Sequence, residues 1–119
     1  MKNILIIDDS ATSRMLFKAH LPKGHAYAVQ EAKDLDSALA ANASTRPDLV
    51  VLDYNMPDHN GVEVAQRLLA TGLDAKLALL TANTQQAVVD EARACGFGWI
   101  IEKPITSAGL AKLLEEASR

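Results

Sequence analysis

The sequence predicts an α/β fold built on a five-stranded parallel sheet. Five short apolar runs alternate along the chain with longer amphipathic stretches of helical periodicity. Within each run the apolar residues are consecutive, which is typical of parallel strands that are buried on both faces. The regular alternation of strand and helix indicates a sheet with helices packed on its faces. The five runs cover residues 4–7, 27–29, 49–52, 77–80 and 99–101.

Residues with strong helix-boundary preferences flank the amphipathic stretches. Ser10 is suited to cap the first helix, whose apolar positions are Met15, Leu16 and Ala19. Gly72 and Gly96 follow the third and fourth stretches, and glycine is common just beyond the end of a helix. The predicted helices begin at Ser10, at Asp34 or Asp36, at Gly61, at Thr84 and at Thr106.

Length, composition and charge bound the classes of function. A chain of 119 residues with 49% apolar and 23% charged residues fits one domain, 1–119, with no room for an output domain. The net charge of −3, without a basic stripe, argues against direct binding to nucleic acid. The N-terminus MKNILIIDD lacks the long apolar segment of a signal peptide, and no apolar run is long enough to span a membrane. With a single cysteine, these features predict a cytoplasmic protein without membrane contact.

Polar residues collect where the predicted strands end. In a parallel α/β sheet, ligands bind beyond the carboxyl ends of the strands, so these residues are expected to meet at one edge. Carboxylates there would hold a divalent cation such as Mg²⁺, and a hydroxyl and an ammonium would hold a phosphoryl group. Taken alone, the two adjacent acids after the first run would also serve as a helix cap and a first-turn acid. The strand-end residues are Asp8, Asp9, Asp53, Thr81 and Lys103, the last followed by Pro104.

Four segments at these strand ends resemble a known family. IIDDS, LDYNMPDHNG, LLTANT and IIEKPI occur in this order, and together they resemble the response-regulator receiver domain of the CheY type over the whole chain. The resemblance implies a doubly wound, flavodoxin-like sheet with strand order 2-1-3-4-5, flanked by five helices.

The resemblance also assigns roles to individual residues. Asp53 is identified as the phosphoacceptor, Asp9 as a direct Mg²⁺ ligand, and Asp8 as an acid that holds the metal mostly through water. Asp53 itself belongs to the metal set, and Asn55 would add its backbone carbonyl. The residues that would contact the phosphoryl group and act in switching are Thr81, Ala82 and Lys103.

The remaining family positions concern switching and phosphate lifetime. The family usually has an aromatic residue three positions before the lysine, but this chain has Ile100 there. Trp99 precedes it, which leaves two alternatives: a local slip in strand register lets Trp99 replace the aromatic switch, or the switch is absent. Strand alternation favours the second, because it predicts that Trp99 faces the opposite side. Asn55 and Asn83 occupy positions that tune how long the phosphate lasts, and neither is a general base. Pro104 is a candidate for a cis peptide bond.

The implied function is a stand-alone signalling switch rather than an enzyme. A histidine kinase or phosphotransfer protein would donate to Asp53, and output would follow from partner binding on the face formed by the fourth helix, fifth strand and fifth helix. A monomer or weak dimer is expected, and chemotaxis and a phosphorelay are both compatible with this architecture.

Two alternatives remain open at this point. The first is an Mg²⁺-dependent phosphatase with an Asp nucleophile of the haloacid-dehalogenase type. That family has D-x-D-x-T after its first strand, whereas this chain reads DDSAT from Asp8 to Thr12. The second is a degenerate receiver that acts only as an interaction module, although its acids, threonine and lysine are all present.

Overall fold

The computed structural model describes residues 1–82 and 85–119. Its strands are β1 (Asn3–Ile7), β2 (Ala28–Ala32), β3 (Leu49–Asp53), β4 (Lys76–Thr81) and β5 (Trp99–Glu102). Its helices are α1 (Ala11–Ala19), α2 (Leu35–Ser44), α3 (Gly61–Leu69), α4 (Gln86–Cys95) and α5 (Ser107–Ala117). All paired strands are parallel, and their order β2-β1-β3-β4-β5 confirms the predicted topology.

The helices cover the sheet in two layers. Side chains of β1 and β3 alternate between two buried clusters, as Leu5 and Val50 on one face and Ile4 and Leu49 on the other illustrate. The first cluster contains residues from α2, α3 and α4, and the second contains residues from α1 and α5. The central strands are therefore buried on both faces, as their consecutive apolar residues predict. Of the helices in the described residues, none combines the length and hydropathy needed to cross a bilayer.

Local capping chemistry determines where several helices begin. Ser10 accepts a hydrogen bond from the amide of Ser13 and caps α1, as predicted. Asp34, rather than Asp36, caps α2 and forms a capping box with Ser37. The predicted start of the fourth helix at Thr84 lies outside the described residues, and α4 begins at Gln86.

The prediction for the second strand was wrong in its position. The apolar run at residues 27–29 predicted the strand, but β2 covers Ala28–Ala32 and includes the polar residues Gln30 and Glu31. The reason is that β2 is an edge strand and follows β1 in register up to the pair Ile7 and Ala32. Backbone pairing with β1 extends the strand past its apolar run, because an edge strand tolerates polar side chains on its exposed parts.

The apolar positions noted for the first helix do not form its core contact. Met15 and Leu16 are 60% and 48% exposed, whereas Phe17 is fully buried against the second cluster. α1 has a single buried residue, so its orientation is set by one large side chain rather than by an apolar stripe.

Candidate functional site

Two buried carboxylates lie side by side at the carboxyl ends of β1 and β3. Asp8 directly follows β1 and Asp53 ends β3, and their neighbours Ile7 and Leu52 are partners in the sheet. Only 1% of Asp8 and 4% of Asp53 is exposed to solvent. Asp9 is exposed, yet one carboxylate oxygen from each of the three acids lies within 4.8 Å of the others. The structure therefore brings together the three acids that the sequence singled out.

Lys103 supplies the positive charge in this cluster. Its Nζ donates to Oδ2 of Asp8 at 3.0 Å and lies 3.3 Å from Oδ1 of Asp53. The backbone positions the side chain, because the amide of Lys103 donates to the carbonyl of Thr81 at 3.0 Å. The Lys103–Pro104 peptide bond is cis, as the sequence predicted.

Both carboxylate oxygens of Asp8 accept hydrogen bonds from neighbouring residues. Its Oδ1 accepts a hydrogen bond from the amide of Ser10 at 2.9 Å, and its Oδ2 accepts one from Lys103. The sequence predicted that Lys103 is among the residues that contact the phosphoryl group, and it did not predict this contact with Asp8. Asp8 therefore joins the cap of α1 to the lysine that follows β5.

Burial and like charge make the acid cluster electrostatically unfavourable. Burial raises the pKa of Asp53, the negative charge of Asp8 raises it further, and Lys103 opposes both effects. For Lys103, burial disfavours the ammonium, but the hydrogen bond to Asp8 and the charges of Asp8 and Asp53 raise its pKa above the ordinary value. Additional positive charge would thus relieve repulsion among the acids.

The donor set fits a hard divalent cation. Mg²⁺ prefers carboxylate oxygens and retains several waters, and a cluster of buried and exposed carboxylates meets both requirements. Asp8, Asp9 and Asp53 could hold such an ion. The raised pKa of Asp53 indicates a carboxylate whose ionised form would gain from a nearby cation.

α3 approaches the end of β3 so closely that only glycine fits at its first position. A Cβ placed on Gly61 would lie 2.6 Å from the carbonyl oxygen of Asp53 and 3.1 Å from a methyl carbon of Leu79. The amide of Gly61 donates to the carbonyl of Tyr54 at 3.0 Å, which closes the loop between strand and helix. Gly61 therefore fixes the backbone that carries Asp53.

The other predicted site residues surround this centre. Thr81 is fully buried at the end of β4, and Ala82 directly after it is exposed. The amide of Asn55 donates to Oδ1 of Asp53 at 3.4 Å, and the Asn55 residue is exposed. Asn83, the second residue predicted to tune phosphate lifetime, lies outside the described residues.

Trp99 and Ile100 lie on opposite faces of β5, as strand alternation predicted. Ile100 packs against the cluster of α2, α3 and α4, whereas Trp99 packs against the cluster of α1 and α5. The indole Nε1 of Trp99 donates to Oε1 of Glu116 at 2.8 Å, which ties β5 to α5. Trp99 does not occupy the face of Ile100.

Sequence reasoning missed one side chain beside the site. Arg14 donates from Nη1 to the carbonyl oxygen of Asp8 at 2.5 Å and from Nε to Oε1 of Glu31 at 3.0 Å. The available signal was its spacing, because Arg14 lies four residues after Ser10 and therefore one helical turn beyond the cap.

Comparisons with known proteins agree with this geometry. The family model described as the response regulator receiver domain matches residues 4–115. The chain is 30% identical to the chemotaxis protein CheY of Thermotoga maritima over 118 residues, which cover 99% of this chain and 98% of that protein. It is 29% identical to the chemotaxis protein CheY of Listeria monocytogenes over 119 residues, with full coverage of both chains.

A solved structure extends the agreement to the fold. The chemotaxis protein CheY4 of Vibrio cholerae superposes with a TM-score of 0.89 at 27% identity, with 98% of each chain covered. A match over residues 4–115 covers most of the 119-residue chain, and the strand order is that of the same fold. The chain therefore belongs to the response regulator receiver family of two-component signalling.

Proposed function

We propose that this receiver domain accepts a phosphoryl group on Asp53 from a histidine kinase or a phosphotransfer protein, in a reaction that requires Mg²⁺. The observation that carries the proposal is the placement of Asp53, which is buried beside the acid Asp8 and within ion-pair distance of the ammonium of Lys103 at the carboxyl edge of the sheet. The output is phosphorylation-dependent binding of a partner protein.

The reaction is a transfer to a carboxylate oxygen. One oxygen of Asp53 attacks the phosphorus of the donor, a new O–P bond forms, and the P–N bond of a donor phosphohistidine breaks. The leaving imidazole keeps the bonding electron pair, and a proton from solvent water neutralises its nitrogen. A bound Mg²⁺ would supply positive charge against the phosphoryl oxygens and the neighbouring acids. Asp9 is the proposed direct ligand, Asp8 acts through water, and Asn55 contributes its backbone carbonyl.

Lys103 and Thr81 respond to the new phosphate. The ammonium of Lys103, 3.3 Å from Asp53, remains close enough to pair with a phosphoryl oxygen after transfer. The hydroxyl of Thr81 donates to another oxygen, with the backbone at Ala82 adjusting beside it. A dianionic phosphate that binds one arrangement of these groups more tightly shifts the population toward that arrangement. Because neither Asn55 nor Asn83 is a general base, autodephosphorylation is slow.

The downstream partner binds the face formed by α4, β5 and α5. Trp99 and Glu116 lie on this face, and their contact links the strand to the last helix. The relatives carrying the name chemotaxis protein CheY favour a role in chemotaxis over a phosphorelay. We place the protein in the cytoplasm and treat residues 1–119 as a single receiver domain, acting as a monomer or weak dimer.

Acetyl phosphate with Mg²⁺, followed by intact-protein mass spectrometry and measurement of released phosphate, tests the function. A signalling switch gains one phosphoryl group, loses this gain in Asp53→Asn, and keeps it in Asp58→Asn, which changes an exposed acid nearby. Release of many phosphate equivalents per protein without accumulation would instead identify a phosphatase. An unmodified protein that also leaves acetyl phosphate intact would identify an interaction module, and either result would overturn the proposal.

A further inference from the structure

Arg14 connects the acid cluster to the edge of the sheet. Its Nη1 donates to the backbone carbonyl of Asp8 at 2.5 Å, and its Nε donates to Oε1 of Glu31 on β2 at 3.0 Å. The side chain is only 16% exposed although it lies on a surface helix. The planar guanidinium presents several N–H groups in fixed directions, so one side chain bridges the residue that follows β1 and a residue of β2.

Glu31 on β2 is the second partner of the Arg14 guanidinium. Its second carboxylate oxygen accepts from Nζ of Lys18 at 2.7 Å, so two cations of α1 converge on one acid of β2. Lys18 lies one helical turn beyond Arg14. In the described part of the chain, the side-chain hydrogen bond of Lys18 goes to Glu31. Lys18 thus shares the anchor of Arg14 without sharing its contact with Asp8.

The carbonyl that Arg14 binds belongs to the peptide group between the two adjacent acids. Because this group is planar, fixing the carbonyl of Asp8 also fixes the amide nitrogen and the Cα of Asp9. The amide of Asp8 donates to the carbonyl of Ala32 at 3.0 Å, and its carboxylate is held by Ser10 and Lys103. Arg14 therefore supplies the contact that orients the backbone leading to the exposed acid.

We propose that Arg14 is a positioning residue for the divalent cation site, because it holds the Asp8–Asp9 peptide group in the orientation that turns Asp9 toward Asp8 and Asp53. This inference rests on the Mg²⁺ site of the proposed function. Arg14 acts through the backbone of Asp8 and is not itself a metal ligand.

The sign of the effect separates positioning from simple electrostatics. Arg14 is a cation next to a cluster of acids, so its charge alone repels Mg²⁺, and removing that charge would tighten metal binding. Loss of the bridging contact frees the peptide group and weakens binding instead. Partners that orient metal ligands typically change metal affinity by about tenfold or more when they are removed.

Isothermal titration of the unphosphorylated full chain with Mg²⁺ tests the inference without any phosphoryl transfer. Arg14→Met is expected to raise the dissociation constant by about tenfold. Arg14→Lys keeps the charge but loses the bridging geometry, so it is expected to weaken binding as well. Lys18→Met is the matched control, because it removes a cation of α1 that contacts Glu31 and leaves the contact with Asp8 in place.

Arg14→Met and Arg14→Lys proteins that bind Mg²⁺ as tightly as the unchanged chain, or more tightly, would overturn the positioning role. Equal weakening by Lys18→Met would also overturn it, because the effect would then follow from Glu31 or from the fold of α1. If Arg14→Met does not fold, judged by its far-ultraviolet circular dichroism, Arg14→Lys decides. An unchanged chain that binds no Mg²⁺ would refute the metal site of the proposed function and this inference with it.

Discussion

Lys103 forms its shortest ionic contact with Asp8, at 3.0 Å, and its contact with the proposed phosphoacceptor is longer, at 3.3 Å. The lysine is thus shared between two buried carboxylates. Its ammonium offsets part of the negative charge of Asp8 and Asp53 that a divalent cation would also offset.

Replacing Lys103 is expected to affect metal binding and phosphorylation in opposite directions. In Lys103→Met the ammonium no longer competes for Asp8 and Asp53, so the Mg²⁺ dissociation constant is expected to fall roughly threefold to tenfold. The rate of phosphorylation by acetyl phosphate is expected to fall, because charge on the transferring phosphoryl group is less well stabilised. Calorimetric titration and an intact-mass time course measure the two effects. Lys112→Met changes an exposed lysine of α5 and serves as the control, and weaker Mg²⁺ binding by Lys103→Met would contradict the account.

The two adjacent acids are expected to differ in their contribution to metal binding. Both carboxylate oxygens of Asp8 already accept hydrogen bonds, from Ser10 and Lys103, whereas Asp9 is exposed beside the cluster. Asp9→Ala is therefore expected to weaken Mg²⁺ binding more than Asp8→Ala does, as titration calorimetry on the two proteins would show. Equal losses would mean that the division of roles between them is wrong.

Gly61→Ala is expected to displace the backbone of Asp53, the proposed phosphoacceptor. The new methyl group would lie 2.6 Å from the carbonyl oxygen of Asp53, so the start of α3 or the end of β3 has to move. The expected cost is about 1–3 kcal/mol in the free energy of unfolding, with slower phosphorylation of Asp53. Urea unfolding and an intact-mass time course measure these changes. Gly98→Ala is the matched control, since its Cβ would meet the nearest atom at an ordinary 3.9 Å.

The carboxylate of Asp48, the residue before β3, makes the stability of the fold depend on acidic pH through its contacts with the start of β1. Oδ2 of Asp48 accepts hydrogen bonds from the amides of Asn3 and Lys2, at 2.8 and 2.9 Å, and these bonds hold the pKa of Asp48 below its ordinary value. Since the folded-state pKa is the lower one, this stabilisation is present above the unfolded-state pKa and is lost as the pH falls through the folded-state pKa.

Asp48→Asn is therefore expected to flatten the decline in stability at acidic pH. Urea midpoints measured between about pH 6 and pH 2 would fall less steeply for this variant than for the unchanged chain. Asp74→Asn replaces an exposed acid near β4 and is expected to leave the decline intact. Parallel pH profiles for the unchanged chain and Asp48→Asn would show that the two amide contacts do not carry this effect.

Most of the sheet and the central residues of the site could be predicted from the sequence. Buried central strands such as β3 leave a continuous apolar run, and a charged residue that ends such a run, as Asp53 does, is conspicuous. The edge strand β2 could not be placed from hydropathy, because the backbone of β1 rather than an apolar pattern determines where it ends. For α1, apolar periodicity could not identify Phe17 as the buried side chain, because its apolar neighbours Met15 and Leu16 are exposed.

The contacts that link the site residues were beyond sequence reasoning for a similar reason. The ion pair of Lys103 and Asp8 joins residues far apart in the chain, so the spacing of residues within one helix or strand does not predict it. The spacing of Arg14 from the Ser10 cap places it one helical turn into α1, but its contact with Glu31 depends on how β2 packs beside α1. Residue identities therefore predicted which groups gather at the edge, whereas the pairing among them depends on tertiary packing.

Locating the phosphoryl group within the chain tests the central claim most directly. The protein is treated with acetyl phosphate, with Mg²⁺ or with a chelator, and then with borohydride, which reduces an acyl phosphate on an aspartate to a stable alcohol. Peptide mass spectrometry is expected to find the reduced side chain at Asp53 in the Mg²⁺ sample and to find Asp53 unchanged in the chelated one. Modification at another residue, or equal modification of Asp53 without Mg²⁺, would contradict the account.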